Sequence, residues 1–137
     1  MKYIIAMLAI IFMADIGTCL GVDGSICNPG DINYYPSGKL RTCTLKDDFT
    51  INDVKCKQYS LITLYETGML KNCVIGDYYN YVNITCNQHS QVSLYPSGKL
   101  NTCDLSKAVF IDGKTCAEFG TISLFEDGKL KSCSTSP

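Results

Sequence analysis

The chain of 137 residues contains no tryptophan and a single histidine, His89. A catalytic pair that uses imidazole could therefore be built in one place only, and His89 lies within the polar stretch 87–91, which is typical of a surface connection. The Gly-x-Ser-x-Gly sequence of a serine nucleophile and a glycine-rich phosphate-binding loop are both missing. The sequence therefore predicts a protein that is not an enzyme and that uses no cofactor.

An excess of charge of either sign is also missing. Twelve Lys and Arg residues stand against thirteen Asp and Glu residues, and the basic residues form no block. Nucleic acid is therefore not an expected partner, because its recognition relies on a basic surface. Paired Cys-x-x-Cys sequences are absent too, so the cysteines do not have the spacing of a compact zinc site.

Long apolar runs are absent except near the start of the chain. Residues 3–13 form an apolar run of eleven residues behind Lys2, which is too short to span a bilayer and typical of a signal-peptide core. Residues 1–18 are therefore expected to be a signal peptide. Residues 16–19 resemble a bacterial lipobox, which predicts lipidation of Cys19, and cleavage after Gly21 is the alternative.

The sequence does contain one short motif that recurs every thirty residues. It consists of an aromatic residue, a glycine three positions later, a leucine and a final cysteine, and its copies span 35–43, 65–73, 95–103 and 125–133. So strict a period indicates one supersecondary unit copied in tandem. Each glycine follows a small polar residue, which predicts a two-residue hairpin turn with glycine at positive φ. The turn glycines are Gly38, Gly68, Gly98 and Gly128.

The cysteines follow the same period. There are nine, and an odd number in an exported protein needs an explanation, which the lipidation or removal of Cys19 provides. Of the two ways to pair neighbouring cysteines identically in every repeat, one leaves Cys27 and Cys133 unpaired at opposite ends. The other predicts the disulfides Cys27–Cys43, Cys56–Cys73, Cys86–Cys103 and Cys116–Cys133. It divides a single domain, 22–137, into units at 22–43, 51–73, 81–103 and 111–133.

Strands are predicted on both sides of each turn. The runs before the turns alternate apolar and polar residues, as in 121–125. With a two-residue turn, the residues expected to face each other are Phe125 and Leu130, and also Ile122 and Cys133.

A third run precedes the other cysteine of each unit, with β-branched or aromatic residues at every second position, such as Phe49 and Ile51. No helical period reaches ten residues outside the signal segment. The predicted fold is therefore all-β. It consists of four tandem repeats of three strands each, stacked as a meander or short solenoid and stapled by disulfides.

The hairpin motif resembles the MORN and YwqK-type repeats of bacterial proteins, in which an aromatic residue, a turn and Gly-Lys also recur. It is similar as well to cysteine-bearing repeats of comparable length in exported bacterial proteins, over residues 22–133. The period is longer than that of MORN repeats, and their Gly-x-Trp signature is missing. The resemblance implies β-hairpin repeats used for binding or scaffolding, and it carries over no catalytic residue.

Two columns of basic residues and one tyrosine are the candidate contact residues. The basic columns could meet an anionic partner, or they could protect exposed strand edges from aggregation. Tyr78 begins the tyrosine- and asparagine-rich stretch 78–83 and could contact a glycan or a protein, whereas Tyr79 and Tyr81 are expected to face the core. The columns contain Lys39, Lys99 and Lys129, and Arg41, Lys71 and Lys131.

Together these observations predict an exported, non-enzymatic binding or scaffolding repeat protein of the bacterial cell envelope. As a lipoprotein it would face the periplasm at the outer membrane or lie on the cell surface, and the lipid would be its membrane contact. The expected partner is a protein or a glycan. The alternative is a freely secreted effector or inhibitor that acts through protein–protein contacts.

Overall fold

The structure, a computed structural model, describes residues 21–136 and is all-β, as the sequence predicts. The described residues contain fourteen strands in antiparallel hairpins and one short 3-10 helix, Gly24–Ile26, capped by the Asp23 side chain. Among these residues no helix has the length and apolar character needed to cross a membrane. The predicted signal segment 1–18 and Cys19 lie outside the described residues.

Eight of the fourteen strands form one antiparallel sheet, the main sheet. They lie across it in the order in which they occur along the chain. Each pair of strands joined by a Gly turn contributes two adjacent strands, so every repeat of the motif widens the sheet by two strands. In spatial order the strands are β1 (Asn33–Tyr34), β2 (Leu40–Thr44), β5 (Leu61–Leu64), β6 (Leu70–Val74), β9 (Gln91–Leu94), β10 (Leu100–Asp104), β13 (Thr121–Leu124) and β14 (Leu130–Cys133).

The remaining six strands form three separate two-stranded hairpins, here called the small hairpins. They come from the run that was expected to be a single third strand. That run is instead divided in two by a tight turn, such as the one at Asn52 and Asp53, where both residues have positive φ. The small hairpins pair β3 (Phe49–Ile51) with β4 (Val54–Cys56), β7 (Tyr79–Tyr81) with β8 (Ile84–Cys86), and β11 (Val109–Ile111) with β12 (Lys114–Cys116).

The hydrophobic core lies between the main sheet and the small hairpins. Buried residues of the main sheet, such as Ile62 and Leu64, meet buried residues of the small hairpins, such as Val54. Tyr79 and Tyr81 are half-buried and pack against this core, which confirms the orientation predicted for them. One face of the main sheet is therefore covered, and its other face, here called the outer face, is left to solvent.

The structure contains the four predicted disulfides, which join the two layers. In three of them, a cysteine that ends a small hairpin is linked to the second strand of the following main-sheet hairpin, as in Cys56–Cys73. In the first, Cys27 follows the 3-10 helix instead. The Cα–Cα distances are 5.5–5.8 Å, within the ordinary range for a disulfide. Each bridge closes a loop with a sequence separation of 16 or 17 residues.

The turn glycines have φ between 85° and 90°, but the loop is longer than predicted. The Tyr35 N–H donates to the Lys39 carbonyl and the Gly38 N–H donates to the Tyr35 carbonyl, each over 2.8 Å. Three residues therefore lie in the loop, with glycine in the left-handed position that such hairpins require. The extra residue produces a bulge that shifts the register by one.

The register of the last hairpin shows the effect of this bulge. Ile122 lies opposite Cys133, as predicted, whereas the residue opposite Leu130 is Leu124. The predicted pair of Phe125 with Leu130 is therefore wrong. The leucine and the cysteine of the motif are three residues apart, so a regular strand would point them to opposite faces of the sheet. The bulge adds one residue between them, and both therefore face the core, as Leu70 and Cys73 do.

The last unit of the stack replaces core residues by more polar ones. The position of the buried residues Val54 and Ile84 is taken in the last unit by the exposed Lys114. The position of Ile75 is taken by the exposed Thr135. A polar terminal unit is what prevents a repeat array from growing by addition of further copies.

Val82 differs in chemistry from the equivalent turn residues of the other two small hairpins. It occupies the first turn position, where Asn52 accepts a hydrogen bond from the Leu70 N–H (2.9 Å) and Asp112 accepts one from the Leu130 N–H (2.7 Å). Valine cannot accept this bond from the equivalent Leu100. It is also 90% exposed and has φ 54°, which is unfavourable for a β-branched residue.

Val82→Asn is expected to raise the free energy of unfolding by about 1–2 kcal/mol, because asparagine tolerates left-handed φ and supplies the missing acceptor. Urea denaturation of the variant and the parent protein measures this. Asn52→Ala removes the corresponding bond and is the matched variant, with an expected loss of about 1 kcal/mol. A neutral or destabilising Val82→Asn would contradict the role given to this turn position.

Candidate binding surface

A row of uncharged polar residues crosses the middle of the outer face, with one residue from each of the eight strands. We call it the polar row. Neighbouring members lie directly opposite each other in the strand register, so the row is continuous across the sheet. Its members are Asn33, Thr42, Thr63, Asn72, Ser93, Thr102, Ser123 and Ser132.

The polar row is partly ordered by its own hydrogen bonds. The Thr42 hydroxyl donates to the Ile62 carbonyl (2.8 Å) and lies 3.3 Å from the Thr63 hydroxyl, and the Ser123 hydroxyl lies 3.4 Å from that of Thr102. All members are half-buried or exposed. Hydroxyl and amide groups can both donate and accept hydrogen bonds. The row therefore presents a regular array of hydrogen-bond donors and acceptors that carry no formal charge.

Beside the polar row, cations lie over aromatic rings on the side of the Gly turns. The Arg41 guanidinium carbon is 5.6 Å from the centre of the Tyr35 ring, and Lys71 Nζ is 5.6 Å from that of Tyr65. At these distances the ring attracts the cation. In the last unit Lys131 lies 5.8 Å from the Phe125 ring. We call these residues the cation–aromatic row.

Tyr35 and Tyr65 of this row, together with Tyr95 at the equivalent position of the third unit, also connect neighbouring units. The hydroxyls of Tyr35, Tyr65 and Tyr95 donate to the carbonyls of Leu64, Leu94 and Leu124 over 2.8–2.9 Å. Burial raises the pKa of Tyr65, and the negative charge of Glu126 raises it further, so its hydroxyl stays protonated as a donor. The last unit has Phe125, which carries no hydroxyl, at this position.

The two predicted basic columns have different surroundings. Arg41 and Lys71 lie on the inner strands β2 and β6, where there is no sheet edge to protect, so edge protection does not explain them. Lys131 lies on the edge strand β14, where it can serve that purpose. The other column is exposed in the Gly turns, and one of its residues, Lys99, lines a cleft of about 270 Å³ together with Val82 and Asp127. That column contains Lys39, Lys99 and Lys129.

Tyr78 does not join either basic column. It directly precedes β7, in the layer of small hairpins that covers the opposite face of the main sheet, and it is 51% exposed. Its N–H donates to the Asp77 carboxylate over 2.8 Å. It is therefore free to contact a partner, but on a different side of the molecule from the polar row.

Two shallow clefts lie along the polar row. One, of about 370 Å³, is lined by Asn72, Ser93 and Thr102 together with Gln91, Asp104 and Thr121. The other, of about 440 Å³, is lined by Asn33, Thr42 and Thr63 together with Tyr34, Arg41 and Leu61. The outer face is thus shallowly concave at both places, with polar-row residues in each cleft.

One further column of aromatic residues was not recognised as a candidate site from the sequence. Tyr59, His89 and Phe119 occupy equivalent loops, each between a small hairpin and the next strand of the main sheet, and all three are exposed. All three have φ of 60–62°, and the first unit has Gly30 at the same position. The signal that could have revealed the column is this glycine, which marks a position of unusual backbone conformation.

The comparisons with known proteins give no relative. No family model matches the chain, and neither a curated protein nor a solved structure is significantly similar to it. Within residues 21–136, no cluster of three or more His, Cys, Asp or Glu side chains is placed to hold a metal ion.

Proposed function

We propose that this chain is an exported, non-enzymatic binding repeat protein of the bacterial cell envelope, anchored through a lipid on Cys19, that holds a glycan on the outer face of its main sheet. The apolar run 3–13 and the lipobox-like residues 16–19 support export and anchoring. The four disulfides are consistent with an oxidising location outside the cytoplasm.

The polar row is the observation that carries the proposal. An exposed sheet face can carry charged residues, which favour charged partners and repel like charges. Here eight strands in succession place an uncharged hydroxyl or amide in the middle of the face. Sugars present hydroxyls that both donate and accept, so they match such a row. Arg41 and Lys71 on one flank add attraction for acidic sugars or phosphate groups.

A second candidate is a freely secreted effector or inhibitor that acts through protein contacts. The layer of small hairpins supports it, because Phe110 is 69% exposed there and Val82 and Tyr78 are exposed as well. Exposed aromatic residues of this kind are common anchors at protein interfaces. The two candidates differ at the N-terminus: mass spectrometry of the mature protein should find lipidated Cys19 for the anchored protein and a start after Gly21 for the secreted one.

Co-sedimentation of the mature protein with purified envelope fractions tests the proposed function. The double variant Thr63→Glu/Ser93→Glu places two carboxylates in the polar row and is expected to weaken retention at least about tenfold, through lost hydrogen bonds and unpaired charge. Thr50→Glu makes the same change at an exposed position of the small hairpin β3 and should bind as the parent does. Retention of the parent protein by no fraction at any salt concentration would contradict the proposal, and so would undiminished binding of the double variant.

A further inference from the structure

The exposed aromatic column formed by Tyr59, His89 and Phe119 is held in an unfavourable backbone conformation. Residues with a Cβ atom avoid left-handed φ, and bulky ones do so strongly. The N–H groups of the three residues donate to the carbonyls of Leu45, Ile75 and Leu105 in the preceding unit over 2.7–2.9 Å, so the fold imposes the conformation at each position. Because this unfavourable conformation is repeated in three units, the presence of bulky side chains there requires an explanation.

The fold itself does not require an aromatic side chain at this position. Gly30 takes the same position in the first unit, where it adopts positive φ without cost from a side chain. Packing does not supply the reason either, because Tyr59 is 71% exposed and Phe119 is 67% exposed. The rings therefore contribute little to the core and stand where glycine would suit the backbone better. A binding role explains aromatic residues at such positions.

The spacing of the column restricts what it can bind. The three residues lie in front of β5, β9 and β13, and neighbouring members of this set are two strands apart in the sheet. Their backbones are therefore roughly 9–10 Å apart along the stack. This distance is close to the length of one disaccharide in an extended β-1,4-linked chain of pyranose sugars. Each ring could then stack on the apolar face of every second sugar.

We propose that Tyr59, His89 and Phe119 form a stacking platform for an extended β-1,4-linked polysaccharide that runs along the repeat stack. The proposal rests on the proposed function, because the polar row runs in the same direction, across successive strands. The rings would cover the sugar faces of such a chain, and the exposed Gln91 and Thr121, which follow His89 and Phe119 by two residues on the side of the polar row, would bond its hydroxyls. A helical α-linked chain does not offer a straight row of sugar faces at this interval.

The triple variant Tyr59→Gly/His89→Gly/Phe119→Gly tests the platform. Binding is measured by depletion of the protein from solution onto insoluble chitin and onto peptidoglycan sacculi, with starch granules as the α-linked control. The parent protein should bind at least one β-1,4-linked polymer and leave starch unbound. Affinity of the triple variant should fall at least about tenfold, since several stacking contacts are lost together.

The fold of the triple variant is an internal control. Glycine suits the left-handed conformation, so the melting temperature should stay the same or rise, and loss of binding cannot then be attributed to unfolding. His89→Tyr supplies the converse test: a larger ring at the middle position should increase the affinity. Together these results separate the platform from any contribution of the column to stability.

Failure of the platform differs from failure of the proposed function. If the parent protein binds a β-1,4-linked polymer and the triple variant binds equally well, the platform is refuted and the glycan-binding face stands. Equal binding of starch and chitin would also refute the platform. If the parent protein binds neither polymer, and no envelope fraction retains it, both proposals are refuted.

Discussion

Replacing the Cys86–Cys103 disulfide by two alanines is expected to lower the free energy of unfolding by roughly 3 kcal/mol or more. The bridge closes a loop with a sequence separation of 17 residues, so its removal increases the conformational freedom of the unfolded chain. Both cysteines are also buried between the two layers, so removal of their sulfur atoms leaves a cavity in the core. Guanidinium denaturation of the double variant under oxidising conditions gives this number.

The matched control is the double variant Cys116→Ala/Cys133→Ala. Its bridge has the same sequence separation of 17 residues, so the change in the unfolded chain is the same. Cys133 is half-buried on the edge strand β14, however, and less packing is lost there. The cost should be about 1 kcal/mol smaller. Equal stability of the parent and the Cys86→Ala/Cys103→Ala variant would contradict the claim that the bridges hold the two layers together.

Ile75→Thr is expected to lower the free energy of unfolding by about 2–4 kcal/mol. Ile75 is completely buried beside the Cys56–Cys73 bridge, so threonine would lose apolar contact there and bury a hydroxyl without a partner. Thermal or urea denaturation, followed by circular dichroism, measures the effect.

Thr135→Ile is the reverse change at the equivalent position of the last unit. Thr135 is exposed, so the same pair of residue types should change the free energy of unfolding by about 0.5 kcal/mol or less. We expect the two changes in free energy to differ widely, because Ile75 lies in the core whereas Thr135 lies in the polar last unit of the stack. Similar effects at both positions would mean that the core does not lie where the two layers place it.

The strict period explains how much of the fold could be predicted from the sequence. Alternating residues identified the strands around each Gly turn, and the requirement that every unit pair its cysteines alike led to the four disulfides. The length of the turn could not be predicted in this way, because a polar residue followed by glycine suits both two- and three-residue loops. The division of the third run was missed because no glycine marks the Asn52–Asp53 turn, although the equivalent Asp112–Gly113 in the last unit is a common hairpin-turn sequence that could have revealed it.

The polar row was harder to predict because it depends on the register of pairs of strands. Along β6, Lys71 is the extra residue of the bulge, and Asn72 rather than Lys71 pairs with Thr63. The expected two-residue turn already places Asn72 opposite Thr63, so the missing information is how successive hairpins pair with each other, as Thr42 of β2 pairs with Thr63 of β5. The basic residues were visible in the sequence, but their positions over the rings of Tyr35 and Tyr65 follow from this same bulge.

The most direct test of the binding face is to map it by NMR, following backbone amide shifts while a soluble β-1,4-linked oligosaccharide is added to the protein. The shifts are predicted to follow the polar row, from Thr42 through Thr63 and Ser93 to Ser123, and to include the loop that contains His89. Shifts confined to the small hairpins, or no shifts at saturating sugar, would contradict the assignment of the outer face as the binding surface.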